Sequence, residues 1–295
     1  MDLIETGRRF NDEATCIQYL EEVRWNGQPC CPYCESTRSG VKSKSFRHTC
    51  LTCRRSYSVL VGTIFQSTKL PLQKWFMAMN LMVNAKKGLS SLQMSRDLGV
   101  NKNTAWYLQK RIRMAMNEDD SILQGLVEAD EAYVGGSMTN YDEYRKPVTG
   151  KQRGGMEHMN TVLGMVERDG HIVVKVIGKA HGKEMRPILT KHIHKESTLV
   201  TDGFGGYSGL SKHFNRHVIL NRSRKIRVLA QYHTNTIEGF WSMLKRAVVG
   251  QYHKLTSEHL QSYLDEIAFK YNHRKSTNTF EYLVNRCLSP PSATF

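Results

Sequence analysis

Three acids and one group of cysteines are the residues in this sequence whose types and spacing suit chemistry. Asp130 falls late in the strand-like run LVEADEAYVGG. Asp202 closes the apolar run STLVTDG at a turn marked by Gly203, Gly205 and Gly206, and Glu238 stands in HTNTIEGFWSMLKR near a helix start, with 35 residues between the last two. Acidic side chains at the ends of adjacent buried strands share one patch. Two carboxylates held together are costly unless a cation lies between them, so a divalent metal is the chemistry this pattern expects. Glu238 has a second reading, because Asn235 and Glu238 have the spacing of a capping box, in which the acid only closes a helix end. Ile237, Phe240, Trp241 and Leu244 form an apolar stripe, which puts Glu238, Ser242 and Lys245 on an adjoining face toward the carboxylates. Glu128 lies two residues before Asp130, about 6.6 Å back along the strand, and is expected off the metal. Glu131 is expected on the opposite strand face.

The second constellation is Cys31-Pro-Tyr-Cys34 and Cys50-Leu-Thr-Cys53, two CxxC pairs with 15 residues between them. Each CxxC turn aims two thiolates at one tetrahedral ion, and this spacing predicts a four-cysteine ribbon holding a single structural Zn²⁺. A redox CxxC or buried free thiols would leave the second, matched pair unexplained. Cys30 is adjacent to Cys31 but lacks the two-residue gap. Lys42, Lys44, Arg47, His48, Arg54 and Arg55 surround the pairs, and contact with DNA phosphates or with protein both remain open for the ribbon.

These residues need elements to position them. A short amphipathic helix is expected over residues 10–25, where Phe10, Ile17, Leu20 and Val23 follow the Asn11 and Asp12 start signals. Four segments follow from the pattern: an N-terminal helix over 1–27, the zinc ribbon over 28–62, a helical segment over 63–120, and an α/β domain over 121–295. In the helical segment, Pro71 marks a start, Trp75, Phe76, Met79, Leu81 and Met82 make an apolar stripe, and Gly88 marks a stop. LSSLQMSRDLGVNKNTAWYLQKRIRMAM then reads as a helix-turn-helix centred on Gly99, with a plain helical hairpin as the alternative. In the first reading Lys102, Asn103 and Thr104 meet base edges, Lys110, Arg111 and Arg113 meet the DNA backbone, and Trp106, Leu108 and Ile112 face the core.

The last segment offers three strands, a helix, a strand, a short helix, a fifth strand, and a helical run from Thr236 to His273 broken near Gly250. Asp169-Gly170 between two of the strands is a hairpin signal. The stretch between the first two strands is long and basic, and Arg145, Lys146, Lys151 and Arg153 in it are placed to hold phosphates.

Forty-two Lys and Arg against 27 Asp and Glu leave a net charge of +15, which draws the chain toward polyanions without naming which. No apolar run has the length of a signal peptide core or a membrane span, and five of seven cysteines crowd into 24 positions. Both features point to a reducing, cytoplasmic and nucleoid-associated setting with no membrane partner.

Taken together, the paired CxxC ribbon, the helical segment, and then VEADEAYVGG, VTDGFGGY and HTNTIEGFWSMLKR in that order resemble the zinc-ribbon DDE insertion-sequence transposases allied to the eukaryotic Merlin elements. The resemblance spans nearly the whole chain. It implies an RNase H-like mixed five-stranded sheet with flanking helices, with Asp130, Asp202 and Glu238 as catalytic acids holding two Mg²⁺ ions, for which Mn²⁺ can substitute. Some relatives carry Asn in the third place, so Asn235 stays beside Glu238. The implied activity is cleavage at the element ends and joining of the 3′-hydroxyl to target DNA. Its partners would be double-stranded terminal repeats, target DNA, and further copies of the chain in a synaptic complex. Lys245 and His233 are the phosphate candidates beside the acids. Two other functions use the same features: a DNA-binding regulator in which the acids are structural, and an RNase H-type metal nuclease that cuts without joining.

Overall fold

The computed structural model describes residues 1–40, 45–134, 159–221, 228–252 and 255–289. They form two compact units, one from residues 1–117 with the chain from 275 onward, the other from residues 118–274.

In the first unit, helix α1 (Leu3–Arg9) precedes α2 (Glu13–Trp25), which starts where Asp12 accepts the Thr15 amide at 2.7 Å and ends at Asn26 in the left-handed region. Both ends follow local rules: an Asx N-cap satisfies an orphan amide, and Asn tolerates positive φ. A two-residue hairpin, β1 (His48–Thr49) and β2 (Ser56–Tyr57), carries the second CxxC turn between its strands. Helix α3 (Leu72–Asn84) begins after Pro71 and buries Trp75, Phe76, Met79 and Met82.

Helices α4 (Ser91–Leu98) and α5 (Lys102–Ala115) are joined through Gly99, whose φ of 60° requires the residue without a Cβ penalty. Ser90 caps α4 and Asn101 caps α5. A final helix, α9 once the second unit's α6 to α8 are counted, spans Thr279–Leu288 and also belongs to this unit. Its Phe280 ring lies against Phe10 and Phe76, and Cys287 contacts Met79. The helix-type spacing of Phe280, Leu283, Val284 and Cys287 was present in the sequence, but the segment reading did not separate it.

The second unit is a five-stranded mixed sheet. Strands β3 (Leu126–Val134), β4 (Asn160–Glu167) and β5 (Ile172–Ile177) form an antiparallel meander, and Asp169, with φ of 62°, turns the chain between β4 and β5. Helix α6 (Gly182–His192) then carries the chain to β6 (Thr198–Asp202), which pairs parallel with β3, and β7 (Arg216–Leu220) pairs parallel with β6. The order is β5-β4-β3-β6-β7. Helix α7 (Asn235–Ala247), a π-helical turn at Val248–Tyr252 and α8 (Ser257–Asn272) follow. The expected break near Gly250 is thus present.

Side chains of α7 and α8 pack with Val162, Val166 and Val174 on one sheet face. Met185, Leu189 and Tyr207 pack with Ala129, Leu163 and Met165 on the other. An antiparallel meander followed by two parallel strands, with helices on both faces, is the RNase H-like arrangement. No helix among the described residues is long and apolar enough to cross a membrane.

The β5 edge is covered by amide side chains. Gln261 accepts the Val176 amide at 2.8 Å and donates to the Val174 carbonyl at 3.0 Å, and Asn272 makes the equivalent pair with both backbone groups of Ile172. Two side chains of α8 therefore act as a surrogate sixth strand, removing a row of open backbone groups. Gln261→Ala is expected to destabilise the protein by about 1–2 kcal/mol, the cost of a backbone donor and acceptor losing their partners, read as a lower urea midpoint.

Candidate active site

A carboxylate with no solvent exposure organises this part of the second unit. Glu128 on β3 is 0% exposed. Its Oε2 accepts the backbone amides of Thr236 at 2.9 Å and Ile237 at 3.1 Å, and its Oε1 accepts the Thr236 hydroxyl at 2.8 Å. Arg168, just after β4, donates to Oε1 at 2.8 Å, and His233 Nδ1 lies 3.3 Å from the same oxygen. The first turn of a helix presents orphan amides and a partial positive charge, so an anion there is stabilised twice over.

The capping box expected from Asn235 and Glu238 does not form in that register. Thr234 is the N-cap residue, and Asn235 is already the first helical position, its amide donating to His233. A strand far back in the sequence caps α7 instead.

With α7 docked this way, Trp241 reaches β3 and donates its indole N–H to Asp130 Oδ2 at 3.0 Å. Glu238 stands one turn earlier on the helix, exposed to solvent, with its Oε1 accepting the Thr234 hydroxyl at 3.2 Å. Asp202 ends β6, and the Phe204 amide donates to its Oδ1 at 2.9 Å. The parallel β3–β6 ladder runs to Glu128 opposite Val200. Asp130 and Asp202 each lie two residues beyond that last paired register, at the same end of adjacent parallel strands.

Tyr207 ties the two strand ends together. Its hydroxyl donates to Glu131 at 2.8 Å from the face opposite Trp241. Burial first, then the Glu131, Asp130 and Asp202 carboxylates, push the Tyr207 phenol well above its ordinary value, so it stays a protonated donor. Asp130 and Asp202 therefore both lie near enough to Tyr207 to act on its phenol, while Glu238 stands on α7 three residues before the Trp241 that meets Asp130. Among the described residues, the three acids are not gathered within 4.8 Å of one another as a set; the cysteines are.

The Sγ atoms of Cys31, Cys34, Cys50 and Cys53 all lie within 4.8 Å of one another, a four-thiol cluster with the geometry of a zinc ribbon. The Cys53 amide donates to Cys50 Sγ at 3.4 Å. That bond and, against burial, the Thr52 amide hold the Cys50 thiol below its ordinary value, while the other thiols of the cluster push Cys34 up, so the first proton lost from the shared cluster comes from the Cys50 side. Tyr57 and Trp25 pack beside the cluster.

The positions expected to meet DNA divide sharply. Lys102, Asn103 and Lys110 are exposed on α5 and Thr104 is half-buried, but Arg111 and Arg113 are buried, at 6% and 2% exposure. Arg111 lies 5.6 Å from the ring centroids of both Trp75 and Tyr107, and both its terminal nitrogens donate to the Gln66 carbonyl at 3.1 Å. The reading that put these two arginines on the DNA backbone is thus corrected: the helix is covered on more than one side, and they serve the interior of their unit. Tyr107, half exposed between Asn103 and Lys110, was not foreseen on the outer face.

Lys245 is exposed, two helical turns beyond Glu238. His233 has its Nδ1 in the Glu128 network rather than turned to solvent alone. Arg145, Lys146, Lys151 and Arg153, with Lys42 and Lys44 of the ribbon, lie outside the described residues. Glu128 is read from the sequence as an acid off the metal, but its capping of α7, the roles of Arg168 and Tyr207, and the polar role of Trp241 are not foreseen there. A signal existed only for the last, an indole N–H on a helix face one turn from an acid.

A family model described as the ISXO2-like transposase domain matches residues 122–272, and a transposase zinc-ribbon domain matches residues 11–56. A protein described as uncharacterised, in transposable element ISH50 of Halobacterium salinarum, is 24% identical over 251 residues, covering 81% of this chain and 84% of its own. Among solved structures, the Mos1 strand transfer complex is 11% identical over 75% of this chain and 79% of that chain, with a TM-score of 0.31. The Mos1 transposase paired-end complex with the left transposon end is 10% identical over 73% and 79%, with a TM-score of 0.28.

Glu128 and Asp130 of β3 should respond unequally to truncation. Glu128→Ala leaves Arg168 and the α7 amides without their anion and is expected to cost about 3–5 kcal/mol in urea unfolding. Asp130→Ala removes the acceptor of the Trp241 indole and should cost less, about 1 kcal/mol for that bond.

Proposed function

The chain belongs to the ISXO2-like transposase family, and from that premise we propose that it cuts the ends of an insertion sequence and joins the freed 3′-hydroxyls to target DNA, using Asp130, Asp202 and Glu238. The observation that carries this reading is the convergence at one sheet end: two aspartates on adjacent parallel strands, and a helix docked so that its exposed glutamate stands one turn from the Trp241–Asp130 contact. Ligands gather outside the carboxyl ends of parallel strands in open α/β sheets.

The donor set is three carboxylates, hard oxygen ligands without a thiol or a neutral imidazole among them, which suits Mg²⁺ and tolerates Mn²⁺. Bound there, a pair of divalent ions would supply an activated oxygen nucleophile and charge stabilisation for in-line displacement at phosphorus. The residues themselves bring position. Asp130 accepts from the Trp241 indole, Asp202 from the Phe204 amide, and Glu238 from the Thr234 hydroxyl, so each carboxylate has one oxygen oriented by a donor of the chain. Exposed Lys245 on the same helix face, with Lys102, Asn103, Tyr107 and Lys110 of α5, supplies cationic and polar groups for DNA phosphates and base edges. The four thiols of the ribbon hold one Zn²⁺, which fixes a segment whose hairpin has only two residues per strand. Pairing of two element ends implies at least two copies of the chain on DNA.

Joining is measured with labelled element ends, supercoiled target and Mg²⁺. Asp202→Asn is expected to bind ends as the native protein does and to lose joining by about a thousandfold or more, the size of effect seen when a key electrostatic group is removed. Undiminished joining would overturn the assignment of Asp202. Cleavage without joined product by the native protein would favour the nuclease, and neither reaction the regulator. Cys34→Ser is expected to abolish the bound zinc measured by atomic emission while leaving Mn²⁺ uptake by the carboxylates unchanged. Retention of zinc would exclude that cysteine as a ligand.

A further inference from the structure

The three acids of β3 differ in what they are given as partners. Glu128 meets a guanidinium and a helix N-terminus, which neutralise it. Glu131 meets a phenol. Asp130 Oδ2 accepts from an indole, a neutral donor that does not titrate. A neutral donor on one oxygen fixes the rotation of a carboxylate without competing as a cation for it. Groups of this kind, one bond removed from a metal, are what orient ligands in metal sites.

The indole is held with unusual strictness. Trp241 is 5% exposed and makes an edge contact with Phe240, ring centroids 5.5 Å apart. Its benzo ring lies over Gly164, the residue registered opposite Asp130 on β4. A Cβ at position 164 would stand 2.6 Å from Trp241 Cζ2 and Cη2 and 2.9 Å from Ile237 Cδ1, distances at which something must move. A glycine in the middle of a central strand weakens that strand. Here it provides the space that lets the indole approach close enough to reach Asp130.

We propose that Trp241 is a positioning residue for the metal ligand Asp130, seated by Gly164, so that its loss weakens divalent-ion binding and not merely packing. This rests on the reading of Asp130 as a ligand. A buried indole N–H needs an acceptor in any case, and the competing explanation is that Asp130 serves the tryptophan rather than the reverse.

The test uses the full chain with Mn²⁺ as the probe, followed by calorimetry, together with thermal unfolding, end binding and joining. Four proteins are compared: native, Trp241→Phe, the double variant Gly164→Ala with Trp241→Phe, and Asp130→Asn. Phenylalanine lacks the outer benzo atoms, and the added methyl at 164 fills the space they leave, so the double variant restores packing without restoring the N–H.

Trp241→Phe and the double variant are expected to need about tenfold more Mn²⁺ for half-saturation, in the range found for outer-shell partners of metal ligands. End binding should be unchanged, and joining should recover at high Mn²⁺. The double variant should unfold at a higher temperature than Trp241→Phe and show the same metal defect. If the folded double variant binds Mn²⁺ as tightly as the native protein, the indole is packing alone and the proposal is wrong. If Asp130→Asn binds Mn²⁺ as the native protein does, or the native protein takes up none, the metal reading of Asp130 fails and this inference fails with it.

Discussion

Burial of the Glu128 carboxylate is the constraint on which the rest of the second unit depends. An uncompensated charge at zero exposure is not tolerated in a folded protein, so its partners have to be in place together: the guanidinium after β4, the amides that open α7, and the Thr236 hydroxyl. Satisfying one oxygen pair therefore fixes the start of a helix relative to a strand 108 residues earlier in the chain. Helical geometry does the remainder, since a helix pinned at its first turn presents Glu238 and then Trp241 at determined heights along β3. The charge is spent on position, and its own chemistry is silenced by the guanidinium.

Strand alternation turns this into a division of labour. Glu128 and Asp130 point to the α7 side of the sheet, and Glu131 to the side packed by α6 and Tyr207. The acid deepest in the core is paired with a guanidinium, the next toward the strand end accepts from a neutral indole, and the third anchors the segment that follows Asp202. Three adjacent acids that look interchangeable in composition thus have three different electrostatic fates, set by depth and by partner.

The sequence made some of this legible and hid the rest for a physical reason. Elements whose cause is local were readable: the Asp12 and Asn101 caps, Gly99 between two helices, the Asp169 turn, the two CxxC pairs, and the apolar stripe Ile237, Phe240, Trp241 and Leu244. The order of strands and helices followed from these. What failed was local inference about groups whose partners are remote. Asn235 and Glu238 carried a capping-box spacing, yet the cap came from β3. Arg111 and Arg113 looked like solvated positive charge, yet aromatic rings and a carbonyl enclose the first and both are buried. No pattern in the chain distinguishes a lysine-like arginine from one that packs against Trp75, and none connects Glu128 to Arg168.

The order of the two units along the chain has a consequence for synthesis on the ribosome. The first unit is split in sequence, since α9 completes its core with Phe280 against Phe10 and Phe76 and with Cys287 against Met79. The second is one uninterrupted stretch with a sheet and both covering helix layers of its own. Domains fold as units as they emerge. The sheet with its acids is therefore ready to close while the helices before it still lack one wall, so a unit begun earlier is finished later.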